Sequence, residues 1–153
     1  MKYRLLFVCL IAIFSACSED KDNQPRDFTE QNEAEILAYI AANNLTATRS
    51  NTGLHYIIDT PGTGAQPNAT SNVTVVYKGT YLDGRVFDQS DANGITIGLN
   101  QVIPGWTEGI AYFREGGSGL LLIPAHLGYG SFTNRGIPGG SVLIFEIDLL
   151  SVN

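Results

Sequence analysis

The sequence predicts an α+β domain in which an antiparallel sheet curls around one short central helix. Three observations carry this. Short β-branched and apolar runs recur between residues 53 and 150, each closed by Gly, Pro, Asn or Asp. Within that span only the stretch opened by Pro104 has helical spacing, and no strand–helix–strand alternation appears, so a parallel sheet with crossover helices is excluded. Seventeen Gly alongside 44% hydrophobic residues fit many tight turns around one core.

The chain begins with a segment that reads as a secretory leader, residues 1–16. Lys2 and Arg4 form a basic start, residues 5–14 are apolar, and Ser15-Ala16 are small. The apolar run is too short to span a membrane. Phe14-Ser15-Ala16-Cys17 resembles a bacterial lipobox, with Phe14 where Leu is usual. Cys17 is therefore the expected lipid attachment site, which would make the membrane a partner through the anchor and place the exported protein at the outer membrane. Cysteine usage agrees. Of 2 Cys, Cys9 lies in the leader, and acylation would remove the unpaired thiol of Cys17. Residues 17–28 read as a lipid-anchored acidic tether, because Ser18-Glu19-Asp20-Lys21-Asp22 is polar and Pro25 follows. The acidic run is either an export tag, as on some Gram-negative surface lipoproteins, or a plain spacer. Loss of Lys2 and Arg4 with a leader that holds no acid takes the net charge from −6 to −8. That argues against nucleic acid as a partner, since phosphate contacts need Lys/Arg patches.

Residues 29–45 read as a short N-terminal helix. Asp27 and Glu30 can cap it, Ile36, Leu37 and Ile40 share a face beside Tyr39, and Asn43-Asn44 end it. It is too short for a stable coiled coil, so docking on the domain is expected over pairing with a second copy. The domain proper occupies residues 46–153. Leu54-His55-Tyr56-Ile57-Ile58 is a strand, and Pro61-Gly62-Thr63-Gly64 with Pro67-Asn68 makes a turn-rich loop. Val73-Thr74-Val75-Val76-Tyr77 is a clear β run. The Asp83-Gly84 turn leads into Val86-Phe87-Asp88. Ile95, Ile97 and Leu99 alternate with Thr96 and Gly98, as in a half-buried strand. Pro104 can open a helix because first-turn N–H groups lack helical partners. From Trp106 to Phe113 the pattern allows two turns, with Glu108 expected in the first. Gly116-Gly117-Ser118-Gly119 reads as a turn, residues 120–123 as a buried strand, and 124–140 as a long loop that holds Tyr129. Residues 142–150 close the domain as a strand with Glu146 and Asp148 facing out.

The residues present exclude several chemistries. His55 and His126 are the only histidines and have no partner at metal-ligand spacing, so no metal site is expected. Nucleophile-elbow, phosphate-loop and dinucleotide motifs do not occur. What remains is a spaced set: Tyr77, Phe87-Asp88, Val102-Ile103, Trp106, Tyr129 and Phe145. Taken singly, Trp106, Phe87, Tyr77, Phe145 and Val102 read as ordinary core residues. Together, with one carboxylate among them, they suit a dry pocket for something small, apolar and uncharged.

As an ordered series these strings resemble the FKBP-type peptidyl-prolyl cis–trans isomerases. Val75-Val76-Tyr77-Lys78-Gly79, Asp83-Gly84 and Phe87-Asp88 resemble the family's first half. Val102-Ile103-Pro104-Gly105-Trp106-Thr107-Glu108-Gly109 resembles the start of its central helix. Leu127-Gly128-Tyr129-Gly130, Ile137-Pro138 and Leu143-Ile144-Phe145-Glu146-Ile147 resemble its closing loop and strand. The resemblance covers residues 53–152 and implies an FKBP-like sheet, a rotamase acting on proline-containing polypeptides, macrolide inhibitors as a ligand class, and no cofactor. It implies that Trp106 is the floor under the prolyl ring and that Tyr77, Phe87, Val102, Ile103 and Phe145 are walls. The Ile103 N–H and Tyr129 hydroxyl would hold substrate carbonyls, and Ile137 would touch the residue before proline. For Asp88 two roles stand open: a direct part in catalysis, or a structural one accepting the Tyr77 hydroxyl or a backbone N–H.

The chain departs from the family at three places. Ile95 stands where Phe is frequent. Gly136 and Gly139-Gly140 flank Ile137-Pro138, where further apolar and Pro residues are frequent, and imply a more mobile loop. No Arg follows Asp88 before Ile97, so its usual ion-pair partner is missing. These changes can weaken macrolide binding or turnover. A proline-peptide-binding chaperone module with little turnover would use the same pocket.

Overall fold

The structure is a computed structural model that describes residues 25–153. The leader, Cys17 and most of the acidic tether lie outside the described residues. Helix α1 (Thr29–Ala42) comes first. Then follow β1 (Thr48–Arg49), β2 (His55–Thr60), β3 (Asn72–Thr80), β4 (Val86–Gln89), β5 (Ile95–Gly98), α2 (Pro104–Ile110), β6 (Gly117–Ile123) and β7 (Leu143–Val152). All strand pairs are antiparallel, in the order β1-β2-β6-β7-β3-β4, with β5 also on β3.

Strand β3 changes partner along one edge. Its first part pairs with β5, Val73 opposite Ile97 and Val75 opposite Ile95. Its last part pairs with β4, Gly79 opposite Asp88. Tyr77 sits at the break, where its N–H donates to Ser90 Oγ at 3.1 Å and its carbonyl accepts the Ser90 N–H at 3.1 Å. The interrupted edge opens the sheet beside Tyr77.

Helix α2 lies in the curl of the sheet. A Cβ on Gly105 would stand 2.5 Å from Ile123 Cγ2, and one on Gly109 would stand 2.6 Å from Leu121 Cδ1. These two glycines let the helix axis approach β6. Ile110, Phe113, Leu121, Ile123, Leu143 and Ile147 fill the main core between them. On the other face of β6, Leu122 packs with Ile36 of α1 and with Val142. Strand β6 is apolar throughout its second half because it is covered on both faces.

Several expectations shift. The glycine run is only partly a turn: Gly117 and Gly119 already belong to β6. A Cβ on Gly119 would collide with the Ile57 carbonyl of the neighbouring strand, so the strand needs glycine there. Helix α2 starts at Pro104 and stops at Ile110, so Glu108 lies beyond the first turn. Its carboxylate accepts the Thr52 hydroxyl at 2.6 Å and the Tyr112 hydroxyl at 3.2 Å. In α1 the docking face is Asn32 and Ile36 with Tyr39 and Ile40 at its margin, and Leu37 is half exposed. Asp27 is not the cap but stands one residue before it, and its Oδ1 accepts the Thr29 N–H at 2.8 Å. Glu30 makes no reciprocal bond, because Phe28 occupies the cap position. The docking itself is as the length of the helix implied.

Candidate functional site

A cavity of about 480 Å³ opens where the broken edge of β3, the start of α2 and the loop after β6 meet. Its depth is graded by burial. Trp106 and Phe145 are buried at the bottom. Tyr77, Ile95, Val102, Ile103 and Tyr129 are half-buried along the sides, together with Ile97. Asp88, Gln101, Asn134 and Arg135 stand exposed at the mouth.

The aromatic base is held by edge-to-face packing. Tyr77 meets the Trp106 ring at 4.9 Å and 83°, and Trp106 meets Phe145 at 5.1 Å and 82°. Such geometry sets positive ring edges against negative faces and fixes the rings against one another. Trp106 is 5% exposed, and its Nε1–H has no partner among the described residues. A short 3₁₀ turn, Leu99–Gln101, delivers Val102 and Ile103 to the wall. The Thr107 hydroxyl donates to Leu99 O at 2.5 Å and ties that turn to α2. The Ile103 carbonyl accepts the Trp106 and Thr107 N–H groups. Among the described residues the Ile103 N–H and the Tyr129 hydroxyl pair with no acceptor, so both can donate into the cavity.

Asp88 meets both partners expected for its structural role. The Tyr77 hydroxyl donates to Asp88 Oδ2 at 2.7 Å, and the Gln89 N–H donates to Oδ1 at 2.9 Å. Burial pushes the Tyr77 hydroxyl well above the usual phenol range, and the hydrogen bond to Asp88 and the Asp88 charge push it further. Tyr77 is therefore a fixed donor. Asp88 makes no ion pair among the described residues.

Two residues expected to meet the substrate, the wall residue Phe87 and the loop residue Ile137, are not among those that line the cavity. The half-buried Phe87 ring lies over Gly79 and meets Phe145 edge-to-face at 5.4 Å and 89°. Ile137 is 6% exposed and belongs to the core beneath the loop. The reason is a tight hairpin. Asn134 and Ile137 exchange two backbone hydrogen bonds of 3.0 and 2.9 Å around Arg135 and Gly136, both at positive φ. That type I′ geometry turns Ile137 inward and leaves Asn134 and Arg135 at the mouth. The pocket is thus apolar at its base but polar at its rim, where an uncharged pocket was expected. Gly136 marks a turn in this loop, but Arg-Gly at its centre is not a strong hairpin pair, so the sequence did not locate the two rim residues. Gln101 and Gly128 carried no signal of their own. His55 is buried near Glu33, and His126 sits outside the cavity with Nε2 2.8 Å from Thr52 O.

Residues 63–150 match the family model described as FKBP-type peptidyl-prolyl cis-trans isomerase. The chain belongs to this family. The FKBP-type isomerase FkpA of Aeromonas hydrophila is 41% identical over 128 residues, covering 80% of this chain and 47% of that protein. FkpA of Escherichia coli strain K12 is 44% identical over 105 residues, 67% of this chain and 39% of its own length. The chain therefore spans less than half of these curated relatives. The crystal structure of Escherichia coli FkpA superposes with a TM-score of 0.73 at 38% identity, over 82% of this chain and 61% of that one. A peptidyl-prolyl cis-trans isomerase from Pseudomonas syringae pv. tomato gives 0.70 at 30% identity, over 85% of this chain and 99% of that one. The α+β, FKBP-like architecture expected from the sequence is the one found.

Proposed function

We propose that this protein is a peptidyl-prolyl cis–trans isomerase acting on Xaa-Pro bonds of exported proteins. The observation that carries the reading is the buried Trp106 floor, clamped by Tyr77 and Phe145, beneath two free donors at Ile103 and Tyr129. The reaction makes and breaks no covalent bond. Rotation about the prolyl amide crosses a barrier of roughly 18–20 kcal/mol, because the twisted state loses resonance. Its carbonyl is then less dipolar than in the planar amide, so an apolar base penalises it less than water does. The prolyl ring lies on Trp106, and the two donors hold flanking carbonyls while one bond turns. A rate gain of about 10⁴ needs only ~5.5 kcal/mol of differential stabilisation. No nucleophile, metal or cofactor takes part, and Asp88 acts by fixing Tyr77.

Export and anchoring belong to the same proposal. They rest on the leader and on Cys17 as the lipidated residue, with the tether spacing the domain from the outer membrane. Replacing Cys17 by Ser should release the protein from membranes; continued membrane association would sink the anchor. Macrolides would enter the same cavity against the narrower Ile95 wall.

The deciding experiment measures exchange of an Xaa-Pro peptide with and without the protein. Acceleration supports the enzyme. If proline peptides quench Trp106 fluorescence yet exchange no faster than in buffer, the chain is a proline-binding module instead.

A further inference from the structure

The loop over the cavity, residues 124–142, leaves β6 and returns in β7 with Tyr129 and the Arg135 hairpin between. Both of its feet are held by one side chain from outside the family match. Asn32 Oδ1 accepts the Ala125 N–H at 2.8 Å, and Asn32 Nδ2 donates to the Gly140 carbonyl at 2.9 Å. The second Nδ2 hydrogen goes to Glu35 Oε2 at 3.1 Å. Asn32 is 0% exposed. The same two backbone residues then hold Gly130, the neighbour of Tyr129. The Gly130 N–H donates to Ala125 O at 2.8 Å, and the Gly140 N–H donates to Gly130 O at 2.9 Å. A closed path thus runs from Asn32 through Ala125 and Gly140 to Gly130.

We propose that Asn32 is a positioning residue for the prolyl site: it pins both feet of the cavity loop and so places the Tyr129 hydroxyl over Trp106. The catalytic part of this rests on the isomerase reading above. Docking alone does not require an amide here. Ile36, one turn on, already buries α1 against Leu122 and Val142, and an apolar residue at position 32 would extend that face without the cost of burying polar atoms. What the amide adds is satisfaction of two loop backbone groups that have no other partner among the described residues. Phe28 and Arg26 of the lead-in segment press on the same loop. A Cβ on Gly140 would collide with the Phe28 ring, and the Ser131 hydroxyl donates to Arg26 O at 2.6 Å. The N-terminal helix is in this sense part of the site.

The test compares Asn32→Ala with Ile36→Ala in the full chain, because Ile36→Ala loosens the same helix without touching the clamp. Three readouts are taken: kcat/KM on a Leu-Pro peptide, amide exchange at Gly130 and Gly140, and the double variant with Tyr129→Phe. Asn32→Ala should lower kcat/KM about tenfold, chiefly through KM, as loss of one well-made hydrogen-bonding group would. It should speed exchange at Gly130 by about tenfold or more on the same basis, and add little to Tyr129→Phe. Ile36→Ala should do none of this beyond its effect on global stability. If both variants lower rate and protection only in proportion to stability, or if Asn32→Ala and Tyr129→Phe multiply independently, Asn32 is a docking residue and the proposal falls. Should Asn32→Ala fail to fold, Asn32→Leu decides. It keeps the bulk and extends the apolar docking face beside Ile36 but offers neither the acceptor for Ala125 nor the donor to Gly140, so exchange should rise at Ala125, Gly130 and Gly140; unchanged protection there overturns the clamp. If the wild-type chain does not accelerate exchange of the peptide, the isomerase reading fails, and the amide-exchange comparison still decides the clamp.

Discussion

Replacing Tyr77 by Phe isolates what Asp88 does. The substitution removes one oxygen and with it the 2.7 Å bond from the Tyr77 hydroxyl to Asp88 Oδ2. Hydrogen bonds to charged groups contribute roughly 1.5–3 kcal/mol when both partners are dry. Here the carboxylate is exposed and can rehydrate, so the expected loss is about 1 kcal/mol, a roughly fivefold change in the folded-to-unfolded ratio. The edge contact of the ring with Trp106 at 4.9 Å survives. Urea unfolding of Tyr77→Phe, Asp88→Ala and the double variant measures the coupling. It should come to about 1 kcal/mol, because both single changes break the same bond. Isomerisation should fall several-fold in each single variant and no further in the double. Additive stabilities would show that the bond contributes nothing. A rate loss of about 100-fold or more for Asp88→Ala with none for Tyr77→Phe would place Asp88 in direct contact with the reacting peptide and refute its structural role.

Other changes separate the site from its surroundings. Trp106→Ala should abolish proline-peptide binding seen by calorimetry, whereas His126→Ala, outside the cavity, should leave it unchanged; equal losses would undo the pocket map. Arg135 sits at φ 50° without the freedom of glycine. Arg135→Gly should raise stability by about 0.5–1 kcal/mol in urea unfolding, and a decrease would mean that the guanidinium makes compensating contacts. Burial raises the Glu33 carboxyl, but the hydrogen bonds and charges of Arg49 and His55 outweigh this and hold it below its ordinary 4.5. A carboxylate lowered in the folded state stabilises above its unfolded pKa, and that stability is lost as pH falls through the lowered value. The stability gap between wild type and Glu33→Gln should therefore be full at neutral pH and close on acidification; a gap independent of pH would remove the ion pair from the account.

Much of the fold was legible because strand and turn signals are local. The alternation at Ile95 and Ile97, the β-branched run from Val73 and the apolar closing strand each declare a period of two. Pro104 declares a helix start. The boundaries that slipped did so where tertiary approach overrides local propensity. Gly117 and Gly119 look like a turn, yet they are strand because the Thr60 carbonyl lies against Gly117 and the Ile57 carbonyl against Gly119. The aromatic floor was legible through an ordered set of strings. The rim was not, because its residues are exposed and polar, with nothing in composition to mark them.

The sequence by itself determined the α+β class, the order of its elements, the aromatic and apolar character of Trp106 and its neighbours, and the two candidate partners of Asp88. Only the tertiary structure decided that Phe87 packs over Gly79 against Phe145, that Ile137 turns inward, that Arg135 stands at the mouth, and that Asn32 holds the loop. The first three come from a tight turn and a neighbouring strand whose facing only packing against the core sets. Asn32 is the long-range case. Asn32 meets Ala125 and Gly140 from 93 and 108 residues away, and no local period encodes such a meeting.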